Sequence, residues 1–220
     1  MAAVTLNTLD CDLSIDLSPD RLTASPLSQA GFGLLWSGAR ATVGIKAGRY
    51  YFRVKVLEKL NTSIPRDVQG PEGEAGTTHA CRIGVSTPPA GLFQLGEAPA
   101  SYGYGSTGKK SCAGSFTAYG PEFDQGDTVC CFVDLSGKPG KVSFTKNGTP
   151  LGKAFDITAL AGRHQPLFPH ILLKNMSAQV DFGGSPQEGA PPMQNFNGHS
   201  PWQVSLTRRT VTSPEAWHVC

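Results

Sequence analysis

The sequence predicts an all-β fold, an antiparallel β-sandwich of two sheets with little helix. Three observations carry that expectation. Short runs of β-forming residues recur along the chain, each bounded by Gly, Pro, Asn or Asp. No long segment places apolar residues at helical spacing, and no internal repeat occurs. Glycine and proline are abundant, at 26 and 17 of 220 residues, as many strands joined by tight turns require.

Taken in order, Tyr50–Leu57 alternates, with Tyr50, Phe52, Val54 and Val56 on one face and Tyr51, Arg53, Lys55 and Leu57 on the other. That pattern is a half-buried strand. Ala80–Ser86 follows as a second strand. Thr128–Leu135 is nearly continuous in apolar residues and is expected at the centre of a sheet, buried on both faces. Lys141–Lys146 leads into Asn147-Gly148, whose residues both tolerate φ > 0 and so mark a hairpin. Pro166–Leu173 and Ser177–Phe182 complete the set, and one short helical turn is expected near Asp156–Leu160.

Two stretches differ from the rest. Residues 61–78 hold Pro, Gly, Glu and Asp with few apolar side chains and read as a long surface loop. From Ser185 onward the chain turns to Pro, Gly, Asn and Ser, and proline cannot donate to a strand ladder. The expected organisation is one sandwich domain over residues 1–184, followed by a disordered tail over 185–220. Trp202, Val204 and Leu206 alternate briefly within that tail and would suit an added edge against the sandwich, but Arg208, Arg209 and the Thr/Ser run that follow give the segment little to bury.

Composition narrows the function. Hydrophobic residues at 39% support a packed core, and a net charge of +2 lacks the basic excess that nucleic-acid binders concentrate in a patch. No basic segment followed by an apolar run opens the chain, and no stretch approaches the ~18 apolar residues of a membrane span. An intracellular protein without membrane attachment is expected. Cys11, Cys81, Cys112, Cys130, Cys131 and Cys220 form no C-x-x-C pair, so reduced cysteines are expected rather than a disulfide framework or a zinc site.

Gly103–Ser111 satisfies G-x-G-x-x-G and nearly satisfies the phosphate-binding G-x-x-x-x-G-K-[S/T]. Lys110 stands where a hydroxyl must reach the metal, and no helix follows to face a phosphate. The segment reads as a glycine-rich loop between strands, and no cofactor is expected. The five histidines (His79, His164, His170, His199 and His218) accompany no Gly-x-Ser-x-Gly elbow, and His170 reads as structural, bonded to backbone. Glu72/Glu74 and Asp124/Asp127 lie in loops as solvated pairs. No catalytic constellation emerges, and a non-enzymatic protein is expected.

The strands also carry a recognisable series of blocks. They are Gly44-Ile-Lys-Ala-Gly-Arg-Tyr-Tyr-Phe-Arg-Val-Lys-Val56, Arg82-Ile-Gly-Val-Ser86, Gly126-Asp-Thr-Val-Cys-Cys-Phe132, Ser143-Phe-Thr-Lys-Asn-Gly148, Leu167-Phe-Pro-His170 and Val180-Asp-Phe-Gly183. In combination they resemble the SPRY domain, over about residues 5 to 184. Asp20–Ser25, Leu35–Ala41 and Ser101–Lys110 bring the chain nearest to the branch of heterogeneous nuclear ribonucleoprotein U-like proteins.

The resemblance implies a concanavalin-like jelly roll that binds a peptide or protein partner through loops at one end. Those loops would be Phe32–Arg40, residues 61–78 and Tyr102–Lys110. It also implies that Arg82 lines the partner-binding surface; a strand-edge arginine paired with a carboxylate is the competing reading. Phe32, Trp36, Arg40, Tyr102 and Tyr104 lie near loop glycines, where aromatics and arginine suit an interface, although Trp36 and Tyr102 also suit a core. Lys109 and Lys110 would meet an acidic or phosphorylated peptide, or stand as a solvated loop tip.

The branch implies a nuclear, RNA-processing setting. Its members add a DNA-binding helical motif, a P-loop domain and Arg-Gly-rich tails, none of which occurs in this sequence, so a truncated or spliced product is expected. Direct RNA or single-stranded nucleic-acid binding is the alternative. It requires cations interleaved with exposed aromatics, which only Tyr102–Lys110 and Arg208–Arg209 offer.

Overall fold

The period-two pattern around Tyr50 produces the longest strand of the protein, β6 (Arg49–Lys59), and the rest of one sheet forms around it. In the computed structural model, residues 3–62, 77–157, 165–183 and 198–203 and the backbone of 211–212 are described. That sheet runs β13 (Thr149–Ile157), β12 (Gly140–Lys146), β11 (Thr128–Asp134), β6, β15 (Met176–Asp181), β3 (Thr23–Pro26), β2 (Ile15–Leu17). A second sheet packs against it in the order β1 (Leu6–Cys11), β4 (Ser37–Ala41), β14 (Phe168–Lys174), β7 (Ala80–Ser86), β8 (Ser101–Gly105), β9 (Lys109–Cys112), β10 (Ser115–Ala118). Both are antiparallel along these paths, and the described helix is limited to the 3-10 turn Ser28–Ala30 and the 3-10 residues Trp202 and Gln203. The expected two-sheet sandwich is the fold.

The core lies between the sheets. Tyr50, Phe52, Val54 and Val56 of β6 and Val129, Cys131 and Val133 of β11 share it with Ile83 and Val85 of β7, Tyr102 and Tyr104 of β8, and Ile171 and Leu173 of β14. Fully burying each aliphatic or phenyl side chain contributes about 1.5–3 kcal/mol, so these inward rows drive the closure. The Asn147-Gly148 hairpin forms as read, with φ of 50° and 82°, and Asn147 Oδ1 accepts from the Thr128 amide at 2.8 Å.

Four expectations need correction or placement. The outward side chains of β11 are not all sealed: Cys130 is half-buried, and Phe132 is covered because Tyr51 stacks on it at 5.0 Å and His199 meets it edge-on. The glycine-rich run Gly103–Ser111 is not a loop but most of the β8–β9 hairpin. The strand β13 continues to Ile157 where a helical turn was expected, and residues 158–160 lie outside the described residues, as do 63–76 of the long loop.

The tail also departs from expectation. Residues 198–203 return to the sandwich, where β16 (Ser200–Pro201) pairs in parallel with Tyr50 and Tyr51 beyond the end of β15. Trp202 enters the core at 0% exposure, edge-on to Phe52, with its Nε1 donating to the Val43 carbonyl at 3.0 Å. The physical reason is an unfilled place beside the start of β6, which one aromatic side chain can occupy. The backbone of β17 (Val211–Thr212) further pairs with β5 (Gly44–Ile45). The remainder of 184–220 lies outside the described residues.

Candidate interaction site on the outer face of the β1–β10 sheet

Because Ile83 and Val85 point inward, Arg82, Gly84 and Ser86 point outward, and the register places Gly103, His170 and Arg40 on the same outer face. Such a face would normally meet solvent. Here residues 87–100 lie across it and bury Ala90 and Leu95. Glycine makes that approach possible: a Cβ on Gly38 would stand 2.0 Å from the Leu92 carbonyl oxygen.

Three side chains rising from the sheet hold this segment by its main chain. Arg40 donates from Nη1 to the Ala90 carbonyl at 2.7 Å, while its Nε and Nη2 grip both oxygens of Asp10 at 2.7 and 2.9 Å. His170 Nε2 donates to the Leu92 carbonyl at 2.8 Å, and Nδ1 accepts from the Ser86 hydroxyl at 2.8 Å. Arg82 Nη1 donates to the Leu95 carbonyl at 2.9 Å and to Glu97 Oε1 at 2.8 Å. Arg40, His170 and Arg82 each find partners in this way, and a segment without regular structure is held fast.

Two neighbouring turns are fixed in the same manner. Asn175, itself at φ 51°, donates from Nδ2 to the Gly33 carbonyl at 2.7 Å and so anchors residues 31–36. Asp12 accepts the Gly38 amide at 2.6 Å, and the Ser14 and Ser37 hydroxyls meet at 2.7 Å, which pins the turn between β1 and β2.

What these tethered segments present is apolar. Leu13 is 99% exposed and Phe93 58%, and Phe32, Leu34 and Leu35 are also exposed around a hollow of about 710 Å³. Its wall includes the half-buried Trp36, and its charged lining residues are Asp12 and Glu97. Arg82, only 3% exposed, lies behind this wall with its guanidinium carbon 4.9 Å from the ring centres of both Trp36 and Phe116. Burial raises the Asp12 carboxyl above the usual range, against the lowering effects of the Gly38 amide and Arg40.

The SPRY domain profile matches residues 68–185, more than half of the chain. The chain belongs to the SPRY family. Two curated relatives, the heterogeneous nuclear ribonucleoprotein U-like protein 2 of Mus musculus and that of Homo sapiens, are each 33% identical over 218 residues. These alignments take in 99% of this chain and 28% of either relative, so the chain spans little more than a quarter of their length. Among solved structures, the SPRY domain of human HERC1 superposes with a TM-score of 0.59 at 18% identity, covering 80% of this chain and 96% of that one. Another human SPRY domain gives 0.54 at 18% identity, covering 76% and 94%. Likeness at that identity speaks to the fold alone.

Within this SPRY domain the eight residues singled out from sequence divide into three groups. Phe32 and Trp36 line the hollow, with Arg82 directly behind them. Arg40, Tyr102 and Tyr104 are buried. Arg40 is occupied by Asp10 and loop carbonyls, and the two phenols face the core, where burial pushes them up to about 12. Lys109 is exposed at the start of β9, while Lys110 donates to the Ala154 carbonyl at 2.7 Å near the Tyr119 and Phe155 rings. Neither lysine lines the hollow. Leu13, Leu34, Leu35, Phe93 and Glu97 were missed.

The Ser86–His170 contact resembles a nucleophile–base pair but cannot act as one. Both residues are fully buried beneath the loop. Burial, reinforced by the Arg40 guanidinium, lowers the imidazole to about 3, and its other nitrogen is committed to Leu92. A general base needs a proton affinity near working pH and access to a substrate. Among the described residues, no group of three His, Cys, Asp or Glu side chains could hold a metal, and no helix is long and apolar enough to cross a membrane.

Proposed function

We propose that this SPRY domain is a non-enzymatic protein-interaction module that docks a segment of a partner protein in the hollow beside Trp36 and Phe93. The observation that carries the reading is the clustering of exposed large apolar side chains on loops held by buried hydrogen bonds. Contiguous exposed apolar surface marks interaction sites, and rigid loops on a sandwich reduce the ordering cost of binding. The ribonucleoprotein U-like relatives support a nuclear, RNA-processing setting for that partner. Direct RNA binding through Tyr102–Lys110 is the weaker reading, because both tyrosines are buried and offer no face on which a base could stack.

The test compares wild type with Phe93→Ser and with Lys109→Ala in affinity purification and mass spectrometry, with and without RNase. Partners that survive RNase, disappear with Phe93→Ser and persist with Lys109→Ala are the expected result. Equal recovery by wild type and Phe93→Ser overturns the assignment of the site.

A further inference from the structure

The charge of the hollow opposes the acidic or phosphorylated partner that the lysines of the sequence suggest. Its described lining carries two charged residues, Asp12 and Glu97, and both are carboxylates. The cation that could have met a phosphate, Arg82, is 3% exposed and already donates to Leu95 and Glu97. An entering anion would therefore meet carboxylates first and could reach the guanidinium only by displacing Glu97 and the flanking rings of Trp36 and Phe116. Lys109 and Lys110 do not line this hollow.

A cation finds the opposite situation. Glu97 is 44% exposed at the side chain and uses Oε1 toward Arg82, which leaves Oε2 free to accept from an incoming donor. Asp12 gives one oxygen, Oδ2, to the Gly38 amide and is raised by burial, so a positive neighbour would relieve the cost of its charge. Phe32, Leu34, Leu35 and Phe93 line the same hollow. On the premise that this hollow is the partner site, we infer that its occupant is a protein segment in which apolar anchor residues flank a Lys or Arg side chain. The anchors supply affinity by burial, and the cation sets register and partner choice against the two carboxylates.

A phage-displayed library of random dodecapeptides, selected on the folded wild-type chain and counter-screened on Phe93→Ser, provides the probe. The expected outcome is a set of Phe93-dependent peptides that combine Leu, Phe or Trp with Lys or Arg. Synthetic versions should bind about three- to tenfold more weakly when the cation is replaced by norleucine, and weaken with rising salt. Asp12→Asn, which retains an acceptor for Gly38, and Glu97→Gln should each reproduce that loss for the cationic peptide and leave the norleucine peptide unchanged. Thermal melts of each variant confirm folding, and the peptide substitution and salt series stand without any protein variant. Peptides that depend on Phe93 yet carry Asp, Glu or no charge overturn the inferred chemistry while the site stands. Tighter binding with phosphoserine in place of the cation overturns it in the same way. Enrichment that ignores Phe93→Ser, or no enrichment at all, overturns the site and the inference together.

Discussion

On the outer face of the β1–β10 sheet, Arg82 is buried behind Trp36 and Phe116 while Leu13, Leu34, Leu35 and Phe93 face solvent. On the outer face of the other sheet the arrangement is reversed. Phe132 and Tyr51 stack at 5.0 Å beneath the edge of His199, while Lys55, Lys141 and Lys153 face solvent. Stability alone favours the second arrangement, because apolar area left in water forgoes about 25 cal/mol per Å² and a buried guanidinium must find partners for all its donors. A face that hides its cation and shows its leucines is organised for something that has yet to bind. The contrast supports the proposed docking face more strongly than either face does by itself.

The largest expected effect strikes the covered face and the core beside it. Trp202→Ala removes a fully buried side chain and should cost ~3–5 kcal/mol, lowering the thermal midpoint by roughly 10 °C in a circular dichroism melt. A change of only a degree would mean that β16 does not belong to the stable fold.

Acidification comes next, and it acts on the interface face through His170. Folding lowers its imidazole from the ordinary 6.5 to about 3, so below pH 6.5 the unfolded chain takes up a proton that the folded one refuses. The stability this group carries is therefore fully present above pH 6.5 and is lost as pH falls toward about 3, with the slope of a single proton taken up on unfolding. Denaturant titrations at stepped pH should show this slope in wild type and a shallower one in His170→Gln, which keeps a donor for Leu92.

Two substitutions then separate frame from surface on one face. Arg82→Met strands the Leu95 carbonyl and releases Glu97, and should cost ~1–3 kcal/mol with faster amide exchange across residues 93–97. Phe93→Ser, at an exposed position, should change stability by less than ~0.5 kcal/mol yet abolish partner capture. Last, and smallest in its effect on partner capture, is Lys141→Ala combined with Lys153→Ala on the opposite face. It breaks one exposed ion pair, Lys153–Asp156, worth at most ~1 kcal/mol, and should leave partner capture unchanged.

The fold was legible wherever side chains alternate. The strands β6 and β12 were placed to within a few residues because a half-buried strand writes its two faces into the sequence. The strands β7 and β15, buried on both faces, were found as short β-forming runs bounded by turn residues. The hairpin β8–β9 was not recognised because Gly103 and Gly105 imitate a loop. Their small size serves an outer face that residues 87–100 cover, and Gly103 lies directly under Leu95, a contact that no alternation of side chains records. Trp202 was missed for a similar reason, since nothing in its Pro- and Gly-rich surroundings records the vacancy beside Tyr50 that it fills.

The site was half legible. Aromatics near glycine placed Phe32 and Trp36 on the hollow, whereas Arg82, which the family resemblance set on the partner surface, is buried behind it and paired with Glu97, as the competing reading of a strand arginine held by a carboxylate had it. The same cue also admitted Arg40, Tyr102 and Tyr104, whose burial depends on Asp10, on the 87–90 carbonyls and on the facing sheet. The available signal for the missed residues was large apolar side chains inside turn-rich stretches, as in Gly33-Leu-Leu35 and Gly91-Leu-Phe93. A turn that carries leucine or phenylalanine has either a core to fill or a partner to meet.

Arg40, His170 and Arg82 grasp residues 87–97 by the carbonyls of Ala90, Leu92 and Leu95, groups that every amino acid supplies. The loop's path is therefore largely independent of the side chains it displays. Position 93 can exchange one residue for another with its anchorage untouched. For the proposed docking site, this makes the protein a mount with a replaceable lens, in which the displayed side chain can change while the housing keeps its alignment.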